Sequence, residues 1–422
     1  MKKMIFCLVM LLAVTALAQD KLLIYMDMKQ TNDLKAYGVA YYALQHGVEV
    51  DWLLNYRGGS FMMDYSGDIA TQCMIRGVAF DKLSAADAAQ IYALIQSPDE
   101  NMDVVRLEKA PKIAVYIPPN YRPWDDAVTL ALQYAQIPYT QVWDRQVLDG
   151  DINKFDWLHL HHEDFTGQYG KFYAAYHNAP WYIQEVAMDE KEAKELGFKN
   201  VPDEKKAVAQ AIKNYVGRGG FLFAMCSATE TLDIALAAQH INITSPIFSG
   251  GIPPTPDANQ KLDYANCLAF QNFKLVENPY VYAFSNINDP PNDMVQFRDP
   301  ATDYFTLFKF SAKYDPVPTM LTQDQVNVIH NFMGQTTSFK KSLLKPDDII
   351  LAQKEGTDEV KYIHGDFGKG TWTFLGGHDP AAYEHLVGDP PTDLALHKDS
   401  PGYRLILNNV LFPAAQRKPL KT

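Results

Sequence analysis

Residues 219–233 read GGFLFAMCSATETLD. The apolar run before Cys226 predicts a buried strand and the residues after it predict a helix, so Cys226 lies where a strand runs directly into a helix. Ala224 and Ala228 are small enough to let the backbone turn sharply there, which lifts the thiol out of the sheet. The helix N-terminus favours the thiolate. Cys226 is therefore a candidate nucleophile; the alternative is a small apolar residue at the end of a buried strand.

Strand and helix patterns alternate on both sides of this stretch. Apolar runs predict strands, and apolar residues at helical spacing predict the helices between them. The predicted strands are 112–116, 139–143, 156–161, 221–225, 349–352, 360–363 and 370–375, and the predicted helices are 123–135, 204–216 and 403–411. This order predicts an α/β fold in which a doubly wound, mostly parallel sheet is covered by helices on both faces.

Changes in pattern divide the chain into segments. The predicted segments are a signal peptide at 1–18, an α/β extension at 19–105, a main α/β domain at 106–248 and 346–415, and an insertion at 249–345. The extension begins with strand 22–26, helix 33–46 and strand 48–54, which predicts a βαβ unit. The insertion is rich in proline and glycine and loses the alternation, so we expect an irregular excursion or a lid over the strand ends.

The N-terminus has the order of a secretory signal peptide. Met1-Lys2-Lys3 supplies positive charge, an apolar run follows, and small residues precede Gln19. We therefore expect cleavage after Ala18 and a periplasmic or extracellular location. The apolar run is too short for a membrane span and no later stretch is long enough, so none is expected.

Composition narrows the partners. The 422 residues carry a formal net charge of -12, and removal of the two signal-peptide lysines makes the mature chain more acidic. An acidic protein does not seek phosphate backbones, so nucleic acid is excluded as a partner. Of the four cysteines, Cys7 leaves with the signal peptide, and the remaining three form at most one disulfide. A small-molecule or glycan ligand fits this composition.

Ligands of open parallel sheets gather beyond the carboxyl ends of the strands, so polar residues that follow strands are the candidates. Three clusters qualify: Cys226 with Ser227, the run HLHHED at 159–164, and His378 with Asp379, followed by His385. A thiol beside an imidazole is an activated nucleophile, and His378 leaves its strand directly. We therefore predict Cys226, His378 and Asp379 as catalytic residues.

The cluster at 159–164 has two interpretations. On a strand His159 and His161 share a face, and His162, Glu163 and Asp164 spread at its end. Imidazoles and carboxylates together suit zinc or another divalent metal, which would make the protein a metal-dependent hydrolase. The other interpretation, a hydrogen-bonded cluster lining the cleft, assigns His161, His162, Glu163, Asp164 and Ser227 to substrate binding, with neither a metal nor a cofactor.

The element order, the segment AMCSA at 224–228 and the segment GGHD at 376–379 resemble the class I glutamine amidotransferase-like superfamily. The resemblance covers roughly 112–249 and 348–413. It implies a flavodoxin-like sheet, with Cys226 as nucleophile and His378 as base. The superfamily's nucleophile elbow is Gly-x-Cys-x-Gly, and its base is followed two residues later by glutamate. Here alanines flank the cysteine, and residue 380 is proline.

The ending, with GGHDP at 376–380 and NNVLF at 408–412, is similar to the ThuA-like branch of that superfamily, which is associated with sugar metabolism. The full chain, including the segment DWLLNYRGG at 51–59, also resembles an exported Bacteroidota family commonly labelled asparagine synthetase B. Asparagine synthetases expose an N-terminal cysteine and carry a Ser-Gly-Gly-x-Asp-Ser loop for ATP, and neither motif occurs here. The resemblance therefore does not imply asparagine synthesis.

Three functions remain open from the sequence. The first is a cysteine-dependent amide or acyl hydrolase with Cys226 and His378. The second is a non-catalytic protein that binds a glycan or another small ligand in the same cleft. The third is a metal-dependent hydrolase centred on His159, His161, Glu163 and Asp164.

Overall fold

The computed structural model describes residues 19–119, 126–288, 304–324, 326–330, 332, 334–380 and 390–415. The predicted signal peptide and His385 lie outside these residues. No helix within the described ranges has the length and apolar content needed to cross a lipid bilayer.

A five-stranded antiparallel sheet organises the N-terminal part. Its elements are β1 (Lys21–Ile24), α1 (Asp33–Gln45), β2 (Val50–Leu54), β3 (Ser60–Asp64), α2 (Gly67–Arg76), β4 (Phe80–Leu83), α3 (Ala85–Gln96) and β5 (Asp103–Leu107). The strand order is β4-β1-β3-β2-β5, and each neighbouring pair is antiparallel.

The predicted βαβ unit is wrong in one respect, because β1 and β2 are not neighbours. Both pair with β3, which lies between them. The turn at 55–59 contains four residues with positive φ, including Gly58 and Gly59, and it folds β3 back onto β2 as a hairpin. The strand β3 therefore takes the place beside β2 that a simple βαβ unit gives to β1, and the unit is a split one.

A second, mixed sheet forms the main part of the protein. Its first half contains β6 (Ile113–Tyr116), α4 (Ala127–Ala135), β7 (Thr140–Val142), α5 (Asp144–Leu148), β8 (Trp157–Leu160), α6 (Tyr173–Tyr176), α7 (Pro180–Glu195), α8 (Val201–Gly217), β9 (Phe221–Met225) and α9 (Cys226–Ala237). Its second half contains β10 (Tyr304–Leu307), β11 (Val328–His330), β12 (Phe339–Lys340), β13 (Ile349–Gln353), β14 (Glu359–Phe367), β15 (Gly370–Leu375) and α10 (Pro401–Leu411).

The order of the main sheet is β11-β10-β13-β14-β15-β9-β8-β6-β7, with β12 paired to β14. The five strands from β15 to β7 are parallel, and the strands beyond β15 are antiparallel. The predicted α/β fold is thus confirmed, whereas the sheet, which was predicted to be mostly parallel, is mixed. The strands β10, β11 and β12 come from the predicted insertion, so part of that segment belongs to the sheet.

Both faces of the parallel strands are buried. Along β9, Phe223 and Met225 belong to one apolar core, and Leu222 and Ala224 belong to the other, as the alternation of a strand requires. Apolar residues of α4 and α10 lie in the first core, and those of α5, α8 and α9 lie in the second. The first core continues into the N-terminal sheet, where α1 packs against α4 and α10.

Candidate functional site

Three neighbouring strands of the main sheet end at one edge and lead into the predicted site residues. The strand β8 leads into 161–164, β9 into Cys226 and Ser227, and β15, through two glycines, into His378 and Asp379. Because β9 lies between β8 and β15 and is parallel to both, their carboxyl ends lie together. The structure therefore brings the three predicted clusters to one place.

Cys226 occupies a sharp junction between β9 and α9. Its φ is 49°, in the left-handed region that costs a non-glycine residue about 1–2 kcal/mol. Its backbone N–H donates to the carbonyl oxygen of Gly377 at 3.1 Å. The side chain is only 2% exposed. A backbone outlier at a strand-to-helix turn is the geometry of a nucleophile elbow.

The thiol of Cys226 lies among hydrogen-bond donors, but burial controls its acidity. Burial is the largest influence and raises the pKa of the thiol above its ordinary value. Backbone N–H groups of Thr336, Ser227 and Gln335 oppose this by hydrogen bonding to the sulfur. The resting group at neutral pH is therefore the neutral thiol, and it needs a base to become a nucleophile.

The first turn of α9 holds the loop after β8 in place. Helix N-termini carry N–H groups without partners inside the helix. Here the N–H of Ala228 donates to the carbonyl oxygen of His161 at 3.1 Å, and the Ser227 hydroxyl donates to the carbonyl oxygen of His162 at 2.9 Å. The two histidines are thereby fixed beside Cys226. The Ser227 hydroxyl thus positions a loop, and its predicted role in substrate binding stays a prediction.

Two glycines allow the close packing around Cys226 and His378. Gly377 has a φ of 93°, and a Cβ there would lie 1.7 Å from the carbonyl oxygen of Phe332. A Cβ on Gly334 would lie 2.9 Å from Sγ of Cys226 and 3.2 Å from Cβ of His378. Cys226 and His378 therefore flank the same small space, which only a glycine at position 334 leaves open.

Three histidines form a cluster at this edge. The ring centroids of His161 and His378 are 4.4 Å apart, those of His161 and His162 are 5.3 Å apart, and those of His162 and His378 are 5.5 Å apart. One nitrogen from each ring lies within 4.8 Å of the other two. His161 is fully buried and the other two are partly exposed, so the cluster is open to small ligands on one side.

A chain of hydrogen bonds behind the cluster determines which nitrogen of His161 faces it. Nδ1 of His159 lies 2.9 Å from the carbonyl oxygen of Phe223, which can only accept, so this nitrogen carries a hydrogen. Nε2 of His159 is then an acceptor and lies 3.2 Å from Nδ1 of His161. Nδ1 of His161 is also 3.2 Å from Oδ1 of Asp126. With both rings neutral, the hydrogen of His161 thus belongs on Nδ1, and its Nε2 carries a lone pair.

Asp126 has two tasks. As the N-cap of α4, its carboxylate accepts hydrogen bonds from the N–H groups of Val128 and Thr129. Burial alone would raise the pKa of this carboxyl, but the imidazoles of His161 and His159 hold it well below its usual range. The ionised carboxylate therefore both starts the helix and orients His161. Asp126 was not among the residues predicted from the sequence, although an aspartate before a helix that follows a parallel strand was a usable signal.

The carboxylates of Glu163 and Asp164 shape the loop after β8. Glu163 accepts the N–H of His161 at 2.7 Å, and Asp164 accepts three N–H groups within 166–170. Burial raises the pKa of both carboxyls. Among the described residues neither belongs to a group of possible metal ligands. The set of four metal ligands expected from the sequence is thus not assembled, and a substrate-binding role for these two residues stays a prediction.

Asp379 faces the last helix. Its carboxylate accepts hydrogen bonds from the Tyr403 hydroxyl at 3.0 Å and the Thr392 hydroxyl at 2.9 Å, and it is 1% exposed. These contacts connect the end of β15 to α10. Its predicted role as a third catalytic residue remains a prediction.

The segment that carries Gly334 is held by a residue the sequence analysis did not single out. Glu230, on α9, accepts hydrogen bonds from the hydroxyls of Ser285 at 2.6 Å and Thr336 at 2.8 Å. Burial raises its pKa to about 7, although these hydrogen bonds act in the opposite direction. No local pattern marks Glu230 or Gly334, because their partners are distant in sequence.

A further cleft lies elsewhere. It encloses about 870 Å³ and is lined by Gly220, Phe221 and Thr371, at the amino ends of β9 and β15, together with Arg218 and His364. It is therefore at the opposite edge of the parallel strands from Cys226. We place the candidate site at the carboxyl edge, because the strained cysteine and the histidine cluster converge there.

No protein-family profile and no curated protein matches the chain. Among solved structures, the cytoplasmic proteins STM3548 and STM1381 of Salmonella typhimurium are each 11% identical, with TM-scores of 0.33 and 0.35. The alignments cover 76% and 72% of this chain and 93% and 100% of theirs. Gan42B, a GH42 beta-galactosidase from G. stearothermophilus, is 8% identical with a TM-score of 0.26, over 64% of this chain and 28% of its own. At these TM-scores the similarities carry no inference about this protein.

Proposed function

We propose that the protein is an exported hydrolase of the glutamine amidotransferase-like class, in which Cys226 attacks an amide or related acyl bond and His378 acts as the base. The observation that carries this proposal is the left-handed backbone of Cys226 at the junction of β9 and α9. Such strain persists only where the surrounding structure enforces it, and it concentrates at reaction centres.

The strand order supports the fold assignment in this proposal. Numbered along the chain, the five parallel strands β6, β7, β8, β9 and β15 lie in the order 2-1-3-4-5, which is the flavodoxin-like order. A relationship of the chain to the ThuA-like branch and to the family labelled asparagine synthetase B is part of the same proposal. Export rests on the signal-peptide pattern of residues 1–18.

The surroundings of Cys226 suit acyl transfer. In the proposed reaction His378 takes the thiol proton while the sulfur attacks the carbonyl carbon, and the carbonyl oxygen becomes negative. Backbone N–H groups beside the sulfur, at Ser227, Gln335 and Thr336, are donors for that oxygen. His378 then protonates the departing amine as the carbon–nitrogen bond breaks. Water hydrolyses the resulting thioester, which releases a carboxylic acid and restores the thiol.

Alkylation by iodoacetamide tests the proposal without a known substrate. Cys73 and Cys267 are also free and buried, and burial raises the pKa of both thiols, so they are internal controls in the same chain. We expect Cys226 to be labelled at least about tenfold faster than either control, and this advantage to disappear in His378→Ala. Equal labelling of all three cysteines would contradict the proposal.

A binding function is the second candidate, favoured by aromatic side chains close to Cys226. Burial raises the pKa of Tyr282, and the nearby Cys226 raises it further; the Tyr282 ring is 5.6 Å from that of Phe172. Beyond them, Tyr176 and Tyr280 are 37% and 62% exposed. Aromatic faces with polar tips suit a glycan. Glycan binding that survives loss of both Cys226 and His378 would support this function.

A further inference from the structure

We propose that His161, His162 and His378 together bind one divalent transition-metal ion of the zinc class. Their ligand nitrogens lie within 4.8 Å of one another at the carboxyl edge of the parallel strands. Around zinc, three imidazole nitrogens at about 2.0–2.1 Å from the metal would lie about 3.3 Å apart. His162 and His378 are only partly buried, so these are the two rings that would turn to bring the nitrogens to that separation.

The state of His161 is the strongest support for the metal. Its Nε2 is buried and has no hydrogen-bond partner among the described residues, and the side chain is fully inaccessible. A buried polar atom without a partner costs about 1–3 kcal/mol. The hydrogen bonds behind the ring leave a lone pair on this nitrogen. The Nε2 lone pair is buried and faces two further imidazoles. A metal ion is the partner that best suits such a lone pair.

The carboxylate behind His161 completes the pattern of a metal site. Metal-binding histidines usually donate their second ring N–H to a carboxylate, which fixes the tautomer and the ring orientation. Asp126 takes this position, 3.2 Å from Nδ1 of His161. Its Oδ1, the oxygen nearest His161, already accepts hydrogen bonds from two N–H groups of α4, so we place Asp126 behind the ligands rather than among them. Three protein ligands leave a fourth position open.

The metal would also control the reactivity of Cys226, because one lone pair of His378 cannot bind a metal ion and a proton at the same time. With the ion bound, His378 cannot accept the thiol proton, so the metal and the cysteine reaction exclude each other. This consequence rests on the proposed function, whereas the metal site itself does not. We therefore expect zinc to slow the alkylation of Cys226 and a chelator to restore it.

Metal titration of the purified, chelator-treated protein tests the site. We expect calorimetry and elemental analysis to give one equivalent of zinc for the wild type, and His161→Ala to bind at least about 100-fold more weakly. The matched control is His46→Ala, since His46 is exposed at the end of α1; its binding should equal that of the wild type. Absence of saturable binding, or unchanged binding by His161→Ala, would overturn the proposal.

Cobalt(II) provides a second measurement that needs no variant of a ligand. Three imidazoles should give the visible bands of a four- or five-coordinate cobalt ion, without the near-ultraviolet band of cobalt bound to a thiolate. Cys226→Ala should give the same spectrum. A thiolate band that disappears in Cys226→Ala would overturn the assignment of an all-histidine site.

The two proposals fail in different ways. If Cys226 is no more reactive than Cys73 in the metal-free protein, the proposed function fails while the metal titration still stands. If the metal-free protein shows a reactive Cys226 but binds no metal, the metal site fails alone.

Discussion

The imidazole rings of His161 and His378 lie 4.4 Å apart at an angle of 76°. The two residues follow β8 and β15, which are not neighbours, because β9 lies between them. The histidines therefore meet above the end of β9, where Cys226 begins α9. A change in any one of these three strand ends is expected to affect the other two.

The packing at Gly334 predicts that its replacement by alanine damages the site. The new methyl group would lie 2.9 Å from Sγ of Cys226 and 3.2 Å from Cβ of His378. We expect Gly334→Ala to lower the free energy of unfolding by about 1–3 kcal/mol and to slow the labelling of Cys226 at least about tenfold. Gly67→Ala is the control, since nothing lies within 4 Å of its Cβ position. If Cys226 is labelled in Gly334→Ala at the wild-type rate, the close contact is not required.

The left-handed backbone of Cys226 predicts that a glycine variant is more stable there than an alanine variant, which reverses the usual order of stability in a helix. Glycine within a helix is normally about 0.5–1 kcal/mol less stable than alanine, but at a φ of 49° alanine is strained and glycine is not. Cys226→Gly should therefore unfold at higher urea concentration than Cys226→Ala. At Ala228, two residues further along α9, the substitution Ala228→Gly should lower the stability of the protein in the ordinary way. A less stable Cys226→Gly would argue against the strained turn.

The raised pKa of Glu230 predicts a specific dependence of stability on pH. Its folded-state pKa of about 7 lies above the ordinary 4.5, so between these values the folded state holds a proton that the unfolded state has lost. The contribution of Glu230 to stability therefore falls as the pH rises from about 4.5 to about 7, and is level above that. Glutamine does not titrate, so Glu230→Gln does not show this decrease in stability.

Urea unfolding of wild type and Glu230→Gln at several pH values checks this. The variant should gain stability relative to the wild type as the pH rises, by a total on the order of 3 kcal/mol between pH 4 and pH 8. A difference that stays constant with pH would mean that Glu230 has the same pKa in the folded and unfolded states.

The position of Asp126 predicts a separation of its two tasks. Asparagine caps helices about as well as aspartate, so Asp126→Asn should keep α4, but its urea midpoint at neutral pH should fall, because a carboxyl whose pKa is held below its usual range stabilises the folded state when ionised. The substitution removes the charge beside Nδ1 of His161, and we expect zinc affinity to fall about 10- to 100-fold. Calorimetric titration of the folded variant measures this. Unchanged affinity would show that the carboxylate does not support the metal site.

Much of the sheet was predictable because its signals are local. The apolar runs of β6, β8, β9 and β15 are bounded by turns, and parallel strands place the residues that follow them at one edge. The clusters at 161–164, Cys226 and His378 could therefore be expected near one another. The helix α7 was not predicted, because few of its residues, such as Tyr182 and Ala193, are buried, and a mostly exposed helix shows little apolar periodicity.

The details of the site depend on contacts between distant parts of the chain. The hydrogen bond between Asp126 and His161 and the packing of Gly334 against Cys226 have no local signature. The expected metal ligands Glu163 and Asp164 share the segment of the histidines, yet hydrogen bonds to the backbone around them occupy their carboxylates. Composition and spacing predict which residues follow a strand, but not which side chains meet.

Trapping an acyl-enzyme on Cys226 tests the proposed function most directly. Chelator-treated protein is mixed with p-nitrophenyl acetate, quenched in acid and analysed by peptide mass spectrometry. We expect a burst of nitrophenol close to one equivalent and an acetyl group on the peptide that contains Cys226. Both should be absent from Cys226→Ala, and both should form much more slowly in His378→Ala. An acetyl group found on other residues, with the same nitrophenol release from Cys226→Ala, would contradict the proposed function.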